Sequence, residues 1–282
     1  MMSHGAITVI NAIPCGIGAA VGIDMTTNAR FRTGGNERTV NIMNDPAEDT
    51  GMARICVRDT FRHFGIDEPE GWSLTVDSDI PISRGLKSSS SACNAIVSSV
   101  SELISREYGI AGFGASDDDV LEMIRLGVRC AVDAKVTVTG AFDDACACHL
   151  GGLVITDNGN NTLLKRARVK EHDVILLVPE KRIRKHTIDR ERFRMLADDM
   201  ARLAKVAERD WYSALIENGS LVARAVGADN SIADRAMDMG AAAAGMSGTG
   251  PAISIVVKKN EGPSFLNDLD HCGHEAIVTR TR

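Results

Sequence analysis

Nowhere does this chain of 282 residues carry an apolar run approaching the roughly 20 residues that cross a bilayer, so no membrane span is expected. The start, MMSHGAITVINAIP, lacks the basic head and long apolar core of a secretory leader. Positive charge is not in excess either. Lys and Arg total 32 against 38 Asp and Glu, and the formal charge of −6 argues against a general nucleic-acid binder, whose footprint is basic. A local cluster of positive groups would still suffice for a small anionic substrate. A cysteine framework is also missing: the seven cysteines, at 15, 56, 93, 130, 146, 148 and 272, are odd in number and irregularly spaced. In a chain too large to need stapling this predicts reduced thiols in a cytosolic protein. There is no internal repeat, low-complexity tract or regular βαβ alternation. That last absence turns the reading from a doubly wound sheet to an α+β fold.

What is present is enough to bury a substantial core, since 44% of the residues are hydrophobic, and the length suits one large domain or two small ones. Strand patterns fall at 6–10, 19–23, 30–32 and 38–42, and Trp72, Leu74 and Val76 alternate with polar residues as in a half-buried strand. Helical spacing runs from about Met52 to Phe64, from the serines at 88–91 to near Gly109, and onward from Asp117 with Ser116 as its N-cap. Val136 and Val138 read as a short strand leading into TGAFDDA, and 153–156 as another. The polar turn DNGNN (157–161) is the expected boundary between a first domain, 1–158, and a second, 159–282. The second part reads as a buried strand DVILLVP, helices at 189–207, 211–226 and 231–244, the turn GMSGTGP feeding a strand, and a last strand AIVT.

Three turns could carry chemistry. Four serines, Ser88 to Ser91, stand at the mouth of a helix after Gly85-Leu86-Lys87. A helix N-terminus presents unpaired N–H groups and the positive end of its dipole, which suits phosphate. The Walker A pattern fails, because Leu86 rather than glycine precedes Lys87. From this stretch alone, a serine-rich cap with no ligand fits equally well. Asp143 and Asp144 follow a predicted strand, where carboxylates can orient a hydroxyl, accept its proton or hold a cation; an ordinary helix cap reads the same way. GMSGTGP suits close approach of a ligand or of another backbone. CACH (146–149) and HCGH (271–274) invite zinc, but Cys-x-Cys falls short of the usual spacing, and buried free cysteine is the commoner case. A cysteine hydrolase built on Cys146 or Cys148 with His149 ranks low, because sequence neighbours seldom have the geometry to activate a thiol. The basic run EKRIRKH could meet an anionic substrate or form a solvated face.

Taken in order, these turns resemble the kinase superfamily of galacto-, homoserine, mevalonate and phosphomevalonate kinases. Its motif P-x-x-x-G-L-x-S-S-[AS] is matched by Pro81, Gly85, Leu86, Ser88, Ser89 and Ser90, and its C-terminal glycine motif by GMSGTGPAISIVV. INAIPCGIGAAVGID, GLKSSSSACNA, VTVTGAFDDA, GGLVITDN and SGTGPA are most similar to the archaeal-type shikimate kinases of that superfamily. The resemblance implies an N-terminal domain like ribosomal S5 domain 2 and a ferredoxin-like C-terminal domain. It implies transfer of the γ-phosphate of Mg·ATP to the 3-hydroxyl of shikimate, a step of aromatic amino acid biosynthesis. Homoserine and mevalonate are the alternative acceptors, and a scaffold that kept the fold without turnover is the non-enzymatic rival. The implied roles are ATP phosphate binding by Ser83, Arg84, Gly85, Leu86, Lys87, Ser88, Ser89, Ser90, Ser91 and Ala92, catalysis by Asp143 with Asp144 beside it, and magnesium ligation by Ser89 and Asp133. The chain departs from the family at two positions: Ile17 stands where members often carry lysine, and Lys87 where a small residue is common. Lys87 is therefore expected to supply the charge missing from the first turn. The sequence does not single out the basic residues that hold the substrate carboxylate, and Arg84, Arg182 and Arg184 are not assigned to it.

Overall fold

In the computed structural model, residues 1–82, 84–114, 116–137, 139–180 and 189–282 are described. A single long strand organises the first part. β2 (Ile17–Thr33) pairs antiparallel with β1 (Met2–Ile10) along one edge; along the other it pairs with β5 (Leu153–Asp157) through its first residues and with β4 (Trp72–Ser78) through its last. β3 (Arg38–Ile42) lies parallel to β4, and β6 (Thr162–Ala167) closes the far side against β5, giving six strands. The sequence pieces 19–23 and 30–32 are thus one strand. Between them Asp24, Thr26 and Asn28 alternate with buried Met25, Thr27 and Ala29, so the polar residues are the outer face of a continuing ladder.

Four helices cover the inner face: α1 (Gly51–His63), α2 (Ser88–Tyr108), α3 (Asp117–Asp133) and α4 (Phe142–Leu150). α3 begins as its sequence demands. Ser116 Oγ accepts from Asp119 N at 3.2 Å, and Asp117, Asp118 and Asp119 sit at the positive end of the dipole. α2 ends at Gly109 in the left-handed conformation.

The second sheet, ordered β10-β7-β9-β8, is antiparallel throughout: β7 (His172–Val178), β8 (Ala243–Met246), β9 (Ile253–Lys258) and β10 (Glu275–Arg280). α5 (Arg190–Arg194), α6 (Ala197–Ala207) and α7 (Trp211–Val226) follow β7; α8 (Ser231–Asp238) precedes β8, and α9 (Gly262–Asp268) precedes β10. β1 and β2 lie between the two parts. Ala6 and Ala20 face the core under α2 and α4, whereas Ile7, Val9, Ala19, Val21 and Ile23 pack with Val174, Leu176, Leu215 and Met246 of the second part. Each such large aliphatic, fully buried, contributes about 1.5–3 kcal/mol, so the two parts are held by one shared core. Among the described residues no helix is long and apolar enough to cross a membrane.

Four differences from the sequence reading have physical reasons. DNGNN is a hairpin turn between β5 and β6, so the first sheet runs on to Ala167 instead of stopping at 158. Val136 is not in a strand, Val138 lies outside the described residues, and Asp143 and Asp144 open α4 in place of ending a strand. The helix expected over 189–207 is broken between Arg194 and Ala197. The alanine-rich 241–244 leaves the helix, and Ala243 and Ala244 open β8, because Ala243 belongs to the shared core and Ala244 to the core beyond the second sheet, a two-residue period that packing imposes over alanine's helix propensity.

Candidate active site

Lys87 caps α2 with a left-handed backbone at φ 70°, and Ser88, Ser89 and Ser90 form the first turn, half-buried, while Ser91 is buried with Oγ unpartnered. Ala92 follows half-buried and Leu86 anchors the turn from below in the shared core. Gly85, at φ 85°, is required twice over: the conformation favours glycine, and a Cβ there would stand 2.4 Å from Ser247 O. The second glycine turn therefore lies directly on the first. Ser247 Oγ donates to Gly85 O at 3.0 Å and accepts from Thr8 N at 3.2 Å, and Ala252 N donates to Arg84 O at 3.3 Å.

Thr8, from the centre of β1, joins the pieces. Its hydroxyl accepts from Gly248 N at 2.8 Å and from Lys87 Nζ at 2.5 Å. Lys87 Nζ also stands 3.0 Å from Asp144 Oδ1, and both side chains are almost entirely buried. Asp143 precedes Asp144 in the first turn of α4, and its carboxylate faces Gly18 at the start of β2, where a Cβ would approach Oδ2 to 2.5 Å. Only hydrogen fits there. Asn158, in the β5–β6 turn, donates from Nδ2 to Asp143 Oδ1 at 2.8 Å and accepts from Asp143 N at 3.2 Å.

The electrostatics follow from this crowding. Burial, with the charge of Asp144 behind it, pushes the Asp143 carboxyl up to about 7, against the opposing pull of Lys87 and of the Asn158 hydrogen bond. A carboxyl poised near neutrality is suited to accept a proton from a hydroxyl. The thiols of α4 are not so poised. Burial raises Cys146 and Cys148, and burial with Arg282 nearby pushes His149 down to about 4, which removes the activated thiol a cysteine hydrolase requires. The CACH cysteines lie in the core of α4, whereas Cys272 of HCGH is exposed and takes Arg235 Nη2 at 3.3 Å. Among the described residues no cluster of three His, Cys, Asp or Glu could hold a metal.

The fold thus brings together Gly85, Lys87, the serines, Asp143 and Asp144. Arg84 turns its Nη1 to Pro179 O in a part-buried contact. Asp133 is exposed at the end of α3, and the charge it acts on is Arg58 of α1. Ser83, Arg182 and Arg184 lie outside the described residues. Thr8, Gly18, Asn158 and Ser247 were not singled out from the sequence, although each falls inside or beside a quoted motif. A triphosphate fits the start of α2, where first-turn amides, three part-exposed hydroxyls and a side-chain-free Gly85 converge. For magnesium the donor set fits in kind: a hydroxyl such as that of Ser89 is a hard oxygen ligand, and Mg²⁺ takes few protein ligands when phosphates supply the rest.

A family model described as the GHMP kinases N terminal domain matches residues 52–152. A curated shikimate kinase of Methanobrevibacter smithii is 36% identical, over 98% of this chain and 98% of its own length. Another from Methanothrix thermoacetophila is 38% identical, over 98% and 91%. Among solved structures, the Methanococcus jannaschii mevalonate kinase superposes with a TM-score of 0.76 at 17% identity, covering 100% of this chain and 98% of that one. At that identity the likeness is one of fold.

Proposed function

The chain belongs to the shikimate kinase family of the GHMP kinases, and from that premise we propose that it transfers the γ-phosphate of ATP to the 3-hydroxyl of shikimate, giving shikimate 3-phosphate and ADP. The observation that carries the reading is the Lys87–Asp144 pair at 3.0 Å, which sets the cap residue of α2 against the carboxylates of α4. Asp143 takes the proton of the acceptor hydroxyl as that oxygen bonds to the γ-phosphorus. The bond from the γ-phosphorus to the β,γ-bridging oxygen breaks, and its electron pair leaves with ADP. Phosphoryl transfer needs alignment and charge neutralisation more than covalent help. The α2 amides and Ser88–Ser90 supply the cradle, with Ser91 buried behind it, and Lys87 offsets charge between cradle and carboxylates. Ser89 would help to hold magnesium at the phosphates, and the ion would supply neutralisation of their charge.

The test is an ADP-coupled assay with shikimate, homoserine and mevalonate in parallel. Turnover with shikimate at the highest kcat/KM is expected. A higher value for homoserine or mevalonate would replace the acceptor and leave the reaction class standing; no ADP release with any of them would overturn the kinase reading.

A further inference from the structure

Asn158 joins the turn before β2, the strand β5 and the start of α4 around the Asp143 carboxylate. Its backbone N donates to Gly16 O at 2.8 Å, in the turn that leads into β2. Its side-chain oxygen accepts from Thr156 Oγ1 at 2.7 Å and from Asp143 N at 3.2 Å. Its Nδ2 donates to Asp143 Oδ1 at 2.8 Å, with Thr139 Oγ1 at 3.5 Å beyond it. The Asp143 N–H, a donor only, and the Asp143 carboxylate set the orientation of the amide, the two threonine hydroxyls accommodate it, and the residue is 5% exposed. A side chain fixed at both ends and aimed at a single carboxylate oxygen is more than a turn residue.

We infer that Asn158 is a positioning residue: it immobilises Oδ1 of Asp143 and leaves Oδ2 to receive the acceptor's proton on the side away from Gly18, which closes its edge toward β2. The inference rests on Asp143 being the base and adds to that reading which oxygen acts and what holds it. Other charged or titratable groups bear on the same carboxylate: Asp144 of α4 raises its affinity for the proton and Lys87 of α2 lowers it. The thiols of Cys146 and Cys148 stand on the same helix, and Arg125 of α3 acts on Cys146. A hydrogen bond given to the charged form favours that form, so loss of the Asn158 amide moves the proton affinity of Asp143 upward.

The experiment compares Asn158→Asp, Asn158→Ala and Asp143→Asn with the parent in kcat, KM for each substrate and the pH profile of kcat/KM, with circular dichroism to verify folding. Asn158→Asp keeps shape and acceptor but replaces the donor by a second carboxylate. Positioning predicts a kcat loss on the order of 10- to 100-fold in both Asn158 variants, the scale set by small misplacement of a reacting group, with KM for ATP little changed. It also predicts an acid limb displaced to higher pH, further for Asn158→Asp than for Asn158→Ala. Thr156→Val, which frees the amide without removing it, should displace the limb in the same direction by less, and it keeps the inference testable should an Asn158 variant fail to fold. Unmoved acid limbs alongside an inactive Asp143→Asn would reduce Asn158 to a turn-former and leave the base assignment intact. A fully active Asp143→Asn would end both.

Discussion

An acid whose pKa burial pushes up to about 7 sets opposite expectations for Asp143→Asn in activity and in stability. Turnover should fall by roughly two or more orders of magnitude, the scale of positioned acid–base catalysis. Stability should move the other way above neutrality. The folded carboxyl holds its proton to about 7 and the unfolded one releases it near 3.8, so the folded form loses stability as pH rises through that window. Thermal melts should place the Asn variant above the parent at about pH 8, with the two converging near pH 4. Lys87→Met acts on the same group through charge. Removing a cation that holds Asp143 down moves the acid limb of kcat/KM to higher pH, and it leaves Asp144 buried without its partner, at a cost of about 3–5 kcal/mol by denaturant titration. A lowered kcat with an unmoved limb would separate Lys87 from the carboxylates. At this scale the sequence is half legible. The serines and the two aspartates are visible because they are consecutive, whereas Thr8 meets Lys87 across 79 positions and Gly248 across 240, distances no local pattern spans.

α2 serves two purposes as an element. Its outer turn is the candidate phosphate cradle, and its inner face, with Ile96, Val97 and Val100 fully or almost fully buried, fills the core under the first sheet. Gly85→Ala probes the joint between them. A Cβ would press on Ser247 O and sit at a φ that side chains rarely adopt, so KM for ATP should rise by at least about tenfold while Asp143 keeps its pH dependence, with stability lower by roughly 1–2 kcal/mol. Unchanged ATP kinetics would remove Gly85 from the nucleotide turn. Elements built on strong periodicity and clear stops, such as α1, α7 and β3, were readable at nearly their observed bounds, and α3 at its start. α4 was not. Its nine residues are too short for a helical period to declare itself, and its cap, Ala141, has no capping side chain. β8 was hidden by its alanines, whose role is decided by two cores the local sequence does not display.

For the whole molecule, the shared core means that the two sheets are expected to unfold as one. The chain has two tryptophans, Trp72 in β4 and Trp211 in α7, one reporter on each side. Single-tryptophan variants Trp72→Phe and Trp211→Phe should give coincident fluorescence transitions in denaturant, and separated midpoints would show that β1 and β2 do not bind the halves together. The α+β class and the two-part plan were legible in the mixture of strands and helices. The hairpin at DNGNN was not, because a polar turn within a hairpin and a polar linker between domains have the same composition. Over longer descent, the hydrogen-only gap between Gly18 and the Asp143 carboxylate ties two distant positions into one inherited character. A lineage that gives up the acid gains room for a methyl on the facing strand, and one that acquires the methyl first must displace the acid. Alanine or serine opposite that helix would therefore mark descendants that have ceased to phosphorylate anything.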